Sequence, residues 1–90
     1  MQPHDAIEIR VIGSHRLWIR FADGVSGEVD LSRRLRFRGV FEPLLDPAEF
    51  ARVAVNAEAG CLEWPNGADI DPDVLYWWVT GIKTFEGDVP

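Results

Sequence analysis

Apolar and polar residues alternate in three runs along the first third of the chain. In the run 6–12, every second residue from Ile7 to Val11 is apolar, and the residues between them are charged. The runs 16–21 and 25–31 carry the same period of two, which is typical of strands with one buried face. The pattern predicts two or three antiparallel strands joined by turns that contain Gly and Asp.

The length of the loop between the second and third runs decides which side chains share a face. A two-residue loop would set Ile19 opposite Glu28 and bury acidic side chains, because cross-strand partners lie on the same face. A three-residue loop, 22–24, sets Ile19 opposite Gly27 and gives Gly24 the left-handed position that such loops need. The predicted register pairs Phe21 with Val25, Ile19 with Gly27, Leu17 with Val29 and Arg16 with Asp30.

Two Asp-Pro pairs predict the first residues of two short helices. Asp46 and Asp71 are expected to be N-caps, and Pro47 and Pro72 fit the first helical position, where a missing N–H costs nothing. The second helix is predicted to end near Gly81. The residues before the caps, Leu45 and Ile70, are expected to pack on Phe50 and Leu75 as hydrophobic staples.

The segments between these elements are less regular. Residues 32–39 are interpreted as a helical turn or loop, after which Phe41, Leu44 and Leu45 are expected to return the chain to the core. The first helix must be short, because strand-like residues follow it at 52–55.

These elements together predict an α+β fold. A further strand is expected at 61–64, so the fold is a small antiparallel sheet, a hairpin plus further strands, with two short helices packed on one face. The single domain is predicted to span residues 6–80. The segments 1–5 and 82–90 are expected to be flexible termini.

Composition narrows the class of protein. The chain has 90 residues, of which 47% are hydrophobic, and its net charge of −6 disfavours general binding to phosphate backbones. The single cysteine, Cys61, permits no internal disulfide. Neither a signal peptide nor an apolar run of bilayer length is present in the sequence. We therefore expect a cytoplasmic protein that does not enter membranes.

The segment from Cys61 to Tyr76 resembles a bacterial family, the domain-of-unknown-function family 2442. In that family's pattern, a strand ends in Trp-Pro-Asn-Gly and is followed by an Asp, an Asp-Pro cap and a Leu-Tyr pair. The resemblance covers nearly all of residues 6–78. The residues that carry this structural motif are Trp64, Pro65, Asn66, Gly67, Asp69, Asp71 and Pro72.

The resemblance implies a small intracellular protein of bacterial or phage origin. Members of the family are often encoded beside another small uncharacterised protein, and such pairs are suspected toxin–antitoxin couples. Some members carry an extra helix-turn-helix domain, which we do not expect here, so that DNA-binding role is not carried over. No catalytic residue is established for the family, and none is transferred to this chain.

The acidic stretch 69–73 could suggest a calcium-binding loop, but its spacing does not fit one. Such a loop needs glycine at its sixth position and glutamate at its twelfth. This chain has Val74 and Thr80 at those positions. We therefore interpret Asp71 as an N-cap and Asp73 as a first-turn acid favoured by the helix dipole.

The other candidate groups also lack the pattern of a reactive site. Asp69 is expected to bond turn backbone at 66–67. His4 in the expected tail and His15 in a turn lack metal-ligand spacing. Cys61 is interpreted as a small buried residue within a strand. We expect no enzymatic activity, no cofactor and no bound metal.

A basic cluster is the first candidate for a partner-binding surface. Its functional interpretation is a site for phosphate or for an acidic protein surface, and its simpler interpretation is a solvated loop. Phe37, within the cluster, could stack a base or anchor the loop to the core. The cluster consists of Arg33, Arg34, Arg36 and Arg38.

Three consecutive aromatic residues, Tyr76, Trp77 and Trp78, are the second candidate. On a helix they spread over about 300° of the circumference, because each residue advances about 100°. At least one ring is therefore expected to be exposed for contact with a partner. The alternative is that a small core uses all three at its margin.

The predicted function is that of a non-enzymatic protein-binding module. In its finer form it is antitoxin-like, and its partner is another small protein encoded by the adjacent gene. The alternative is a nucleic-acid-associated regulator that uses the basic cluster, although nucleic acid is the less expected partner. A homodimer formed through an edge strand or the tryptophans is a further alternative.

Overall fold

The computed structural model describes residues 2–82 and confirms the α+β class. The strands are β1 (Ala6–Val11), β2 (Arg16–Phe21), β3 (Ser26–Asp30), β4 (Ala54–Val55), β5 (Leu62–Glu63) and β6 (Asp69–Ile70). The helices are α1 (Pro47–Phe50) and α2 (Pro72–Thr80), with 3₁₀ helices at Leu31–Arg33 and Gly39–Leu45. The strands form two three-stranded antiparallel sheets, β1-β2-β3 and β4-β5-β6, rather than the one small sheet expected.

The register predicted for the β2–β3 hairpin is confirmed. Ile19 lies opposite Gly27 and Arg16 lies opposite Asp30, as a three-residue loop requires. Gly24 closes that loop with a φ of 92°, in the left-handed region where a side chain would be strained. The inner face of the hairpin is therefore apolar.

A β-bulge in β1 changes which of its residues reach the core. The register shifts between Ala6 and Glu8, so that Ala6 lies opposite Phe21 and Ile7 is the extra residue. Ala6 is 1% exposed, whereas Ile7 is only partly buried. Val11, expected on the buried face with Ile7, is 41% exposed. The expected alternation was therefore wrong at Ile7, whereas Val11 keeps the face of its partner Leu17 but is not covered there.

A backbone hydrogen bond joins β1 to the loop that precedes β5 of the second sheet. The N–H of Ala6 donates to the carbonyl of Gly60 at 2.8 Å. The Asp5 carboxyl occupies the space that a Cβ at Gly60 would need, and Gly60 has a φ of 72°. Strand β6 was missed from the sequence, because its two residues lie directly before a helix cap and were interpreted as part of the helix start.

Both predicted helix starts are confirmed. The Asp46 side chain accepts a hydrogen bond from the N–H of Ala48 at 2.9 Å, and Asp71 accepts one from the N–H of Asp73 at 2.8 Å. Gly81 ends α2 in the left-handed conformation, with a φ of 78°. Helix α1 is a single turn, as its short predicted length requires.

The core lies between the first sheet, α2 and the loops that cross it. Leu44 is 2% exposed and belongs to this core, but Leu45, which was expected to join it, is 54% exposed. Within residues 2–82, no helix is both long and apolar enough to cross a bilayer. The largest fully buried side chains are Phe21, Phe50, Leu17, Ile19, Leu31, Leu44, Leu62, Ile70 and Leu75.

The segment 2–5 lies against the domain, although a flexible terminus was expected there. The N–H of Asp23 donates to the carbonyl of Pro3 at 3.0 Å, and Asp5 is 6% exposed. The expectation for residues 83–90 lies outside the described residues.

Candidate functional site

In the segment 34–38, three exposed arginines alternate with side chains that pack against the core. Leu35 is 6% exposed, and Phe37 is partly buried and packs against the core. Arg34, Arg36 and Arg38 alternate with these two residues and are exposed. We call these three residues the arginine row. Leu35 and Phe37 anchor the segment to the core and thereby fix where the three arginines leave the surface.

His15 ties this segment to the rest of the domain. Its Nε2 lies 2.8 Å from the carbonyl oxygen of Leu44. Its ring lies 5.1 Å from the ring of Phe37 and 5.0 Å from that of Phe50, measured between centroids. Phe37 thus packs beside core rings, which favours its interpretation as an anchor of the loop over that of a base-stacking ring.

The arginine row lacks acidic partners in the described part of the chain. Only Arg33, the fourth member of the basic cluster, lies near an acid, with its Nε 3.8 Å from the Asp30 carboxylate. No ion pair within residues 2–82 involves Arg34, Arg36 or Arg38. Their positive charge is therefore available to a partner.

Exposed apolar side chains follow the arginine row directly. Val40 and Leu45 lie in the 3₁₀ helix Gly39–Leu45 and are 45% and 54% exposed. The Asn66 side chain fixes this helix, because its Nδ2 donates to the carbonyl of Val40 at 2.8 Å. Basic and apolar groups are thus presented side by side on one irregular segment.

The aromatic residues of α2 are part of the core instead. Tyr76 and Trp78 are 8% and 5% exposed, and Trp77 is partly buried and packs against the core. The expectation that at least one of these rings is exposed was wrong. The alternative interpretation, that a small core uses all three, is the one that the structure supports.

Tyr76 is fixed at the far end of β3 from the arginine row. Its hydroxyl donates a 2.6 Å hydrogen bond to the Asp23 carboxylate at the tip of the β2–β3 hairpin, and this bond lowers the pKa of Asp23 below its usual value. His4 stacks on the Tyr76 ring with centroids 3.7 Å apart, and its Nδ1 lies 2.9 Å from an oxygen of Asp73. The structure therefore does not bring the two predicted contact groups together.

The motif residues 64–67 have structural partners. The Trp64 indole N–H donates to the carbonyl of Phe50 at 2.9 Å, which is a buried hydrogen bond. Asn66 Oδ1 accepts from the N–H of Ala68 at 3.1 Å, and Gly67 has a φ of 93°. Asn66, and not Asp69 as expected, supplies the side-chain hydrogen bonds of this turn.

A cleft of about 240 Å³ beside this turn is lined by Cys61, Asp69 and Asp71, together with Ala59 and Pro72. Burial raises the pKa of the Cys61 thiol, and the nearby carboxylates raise it further. No group of three or more His, Cys, Asp or Glu residues in the described part of the chain is arranged to hold a metal ion. The cleft therefore lacks an activated nucleophile and a metal-binding arrangement.

The outer face of the first sheet carries paired charges that the sequence pattern did not reveal. Glu8 lies 3.1 Å from Arg20, and this hydrogen bond lowers the pKa of the glutamate. Arg10 lies over the ring of Trp18, 5.3 Å from its centroid. These arginines differ from the arginine row, because neighbouring side chains already engage them.

Residues 6–81 match the family model described as Protein of unknown function (DUF2442). No curated protein and no solved structure matches the chain.

Proposed function

The chain belongs to the DUF2442 family, and we propose that it is a non-enzymatic protein-binding module whose contact surface is the arginine row. One observation carries this proposal. Three exposed arginines without acidic partners in residues 2–82 are held outward by two anchored apolar side chains, and exposed apolar residues follow them.

The chemistry of this surface favours an acidic protein partner. Arginine binds carboxylates through paired N–H groups. Val40 and Leu45 add apolar area beside these charges, as in the buried centre of an interface. A surface that carries carboxylates around an apolar patch fits both features.

The finer form of the proposal is an antitoxin-like role. In it, the chain is cytoplasmic and neutralises a small protein encoded by the adjacent gene. Its support is the family membership together with the contact surface. Co-expression tests it directly, because the chain should relieve growth inhibition by the adjacent gene product, and a variant without the arginine row should not.

Binding to nucleic acid is the competing role for the same arginines. A net charge of −6 opposes it, and Phe37 is held against the core instead of being free to stack. If this role were the right one, DNA or RNA would bind at low salt with an affinity that falls steeply as salt rises.

The decisive experiment compares two sets of arginine variants in a pull-down with the adjacent gene product. Arg34, Arg36 and Arg38 are changed to Ser together, and the control changes Arg10 and Arg52, exposed arginines outside the row, to Ser. We expect the triple variant to lose the partner and the control to keep it. Retention by the triple variant, or a chain that stays alone at micromolar concentration, contradicts the proposal.

A further inference from the structure

Strand β3 has one edge that no other strand of residues 2–82 covers. At one end of the hairpin the Phe21 N–H donates to the carbonyl of Val25, and at the other the Leu31 N–H donates to the carbonyl of His15, both at 2.8 Å. Hydrogen-bonding direction alternates along an antiparallel strand. The residues whose N–H and C=O groups point away from β2 are therefore Ser26, Glu28 and Asp30.

This free edge is accessible to a partner. Ser26 and Glu28 are exposed, and neither their outward backbone groups nor the Asp30 N–H has a hydrogen-bond partner among the described residues. The Asp30 carbonyl is engaged, because Asp30 caps the 3₁₀ helix Leu31–Arg33. Helix α2 packs against the inner face of β3, where Val79 lies over Gly27, and so leaves the backbone edge open.

The charge of the edge indicates which kind of strand it accepts. One carboxylate oxygen of Glu28 lies 2.6 Å from Arg16, while the other has no partner within residues 2–82, and the side chain is 55% exposed. Asp30 is a second acid on the same face, but one of its oxygens accepts hydrogen bonds from Ser32 and the other lies 3.8 Å from Arg33. Within residues 2–82, Glu28 therefore carries the open carboxylate oxygen of this edge. A second copy of this chain, paired across the middle of β3, would set Glu28 against Glu28, and like charges opposite each other destabilise a sheet.

We propose that the outer edge of β3 is a docking site for an extended segment of a partner protein with Lys or Arg at alternate positions. The segment adds a fourth strand to the first sheet through the backbone groups of Ser26 and Glu28 and the N–H of Asp30. One of its basic side chains lies opposite Glu28 and pairs with the carboxylate oxygen that Arg16 leaves open. This surface consists of other residues than the arginine row, so it does not depend on the function proposed above.

The test uses the full chain and a synthetic peptide in which lysine alternates with threonine. A second peptide replaces each lysine with glutamate. We expect the lysine peptide to bind with an affinity that falls as salt rises, and to protect the amides of Ser26, Glu28 and Asp30 from hydrogen exchange. The glutamate peptide should not bind.

Two variants then separate backbone docking from simple charge attraction. Glu28→Pro removes an N–H that points away from β2, so the hairpin keeps its own hydrogen bonds while the edge loses a donor. Affinity for the lysine peptide should fall by about tenfold or more, from the loss of one hydrogen bond and one charge. Glu28→Lys keeps the backbone and should weaken the lysine peptide while allowing the glutamate peptide to bind, which keeps the test valid if the proline variant does not fold.

Several results would overturn the proposal. Binding that leaves the three edge amides unprotected, or that Glu28→Pro does not weaken, places the peptide elsewhere. Equal binding of both peptides removes the charge argument. Self-association of the chain that protects the same amides would make a second copy the occupant of the edge.

Discussion

The Cγ1 methyl of Val79 lies 2.7 Å from the position that a Cβ at Gly27 would take. Helix α2 therefore rests directly on the backbone of β3, at the point where a glycine leaves room for it. Because valine is stiff at its first side-chain torsion, this methyl cannot easily move aside. The contact positions the helix that carries the aromatic residues of the core.

We predict that Gly27→Ala destabilises the protein. Replacing glycine by alanine lowers the conformational entropy of the unfolded chain, which favours the folded state by about 0.4–1 kcal/mol. Crowding of the new methyl against Val79 should cost about 1–3 kcal/mol and outweigh that gain. Urea unfolding measures the difference. The double variant with Val79→Ala should recover part of the loss, and strict additivity of the two changes would show that no such contact limits the helix.

The hydrogen bond from Tyr76 to Asp23 predicts a pH dependence of stability. It is the main cause of the lowered pKa of Asp23 in the folded protein. A lowered pKa stabilises the fold above the ordinary value of about 3.9, and this contribution is lost as pH falls through the folded value. Tyr76→Phe should therefore lose less stability on acidification than the unchanged protein.

The same pair predicts the opposite trend at alkaline pH. The Asp23 carboxylate, by accepting the hydrogen bond, raises the pKa of Tyr76. That contribution is complete below the ordinary tyrosine value of about 10 and is lost as pH rises through the raised one. Melting temperatures of the unchanged protein and Tyr76→Phe across both ranges test the pair, and parallel curves would argue against it.

Local features of this fold could be predicted from sequence, whereas long-range ones could not. The hairpin register followed from keeping Glu28 out of the core, and the caps Asp46 and Asp71 followed from adjacent prolines. Each of these needs only neighbouring residues. The bulge at Ile7 lies where β1 contacts a segment near Gly60, more than fifty residues away in sequence. The alternation of apolar and polar residues within β1 could therefore not reveal it.

The candidate surface was predicted only in part for the same reason. The basic cluster was visible in the sequence, but the anchoring of Phe37 beside His15 joins distant segments. On an isolated helix, three consecutive aromatic residues point in different directions, so at least one ring was expected to be exposed. In the fold, the Tyr76 ring stacks on His4 and its hydroxyl bonds Asp23 at the hairpin tip. These distant segments cover a ring that would be exposed on the helix alone.

The two neighbouring acids Asp69 and Asp71 should differ in their effect on stability. Asp71 accepts a hydrogen bond from the N–H of Asp73 as the N-cap of α2, so Asp71→Ala should cost about 0.5–2 kcal/mol. Asp69 is exposed and its side chain makes no hydrogen bond in the described part of the chain, so Asp69→Ala should change stability by less than about 0.5 kcal/mol. Urea unfolding measures both variants, and the comparison is matched because each loses one aspartate charge. Equal losses would contradict the assigned cap.

The indole of Trp64 predicts a large effect from a small change. Trp64→Phe keeps an aromatic ring but leaves the buried carbonyl of Phe50 without its donor, which should cost about 1–3 kcal/mol in addition to the lost packing. Trp18→Phe is the matched control, since that ring is on the outer face of the sheet beneath Arg10. We expect a clearly smaller loss there by thermal unfolding. Similar losses would mean that the indole hydrogen bond contributes little.

Cys61 should react slowly in the folded protein. Burial, followed by the charges of Asp69 and Glu63, raises the pKa of the thiol, so less thiolate is present near neutral pH than for an ordinary cysteine. The rate of reaction with a disulfide reagent should therefore be low in buffer and rise when urea unfolds the chain. Asp69→Asn removes one of the charges and should increase the native rate modestly without changing the unfolded rate. A native rate equal to that of the unfolded chain would show instead that the thiol is accessible and ionises normally.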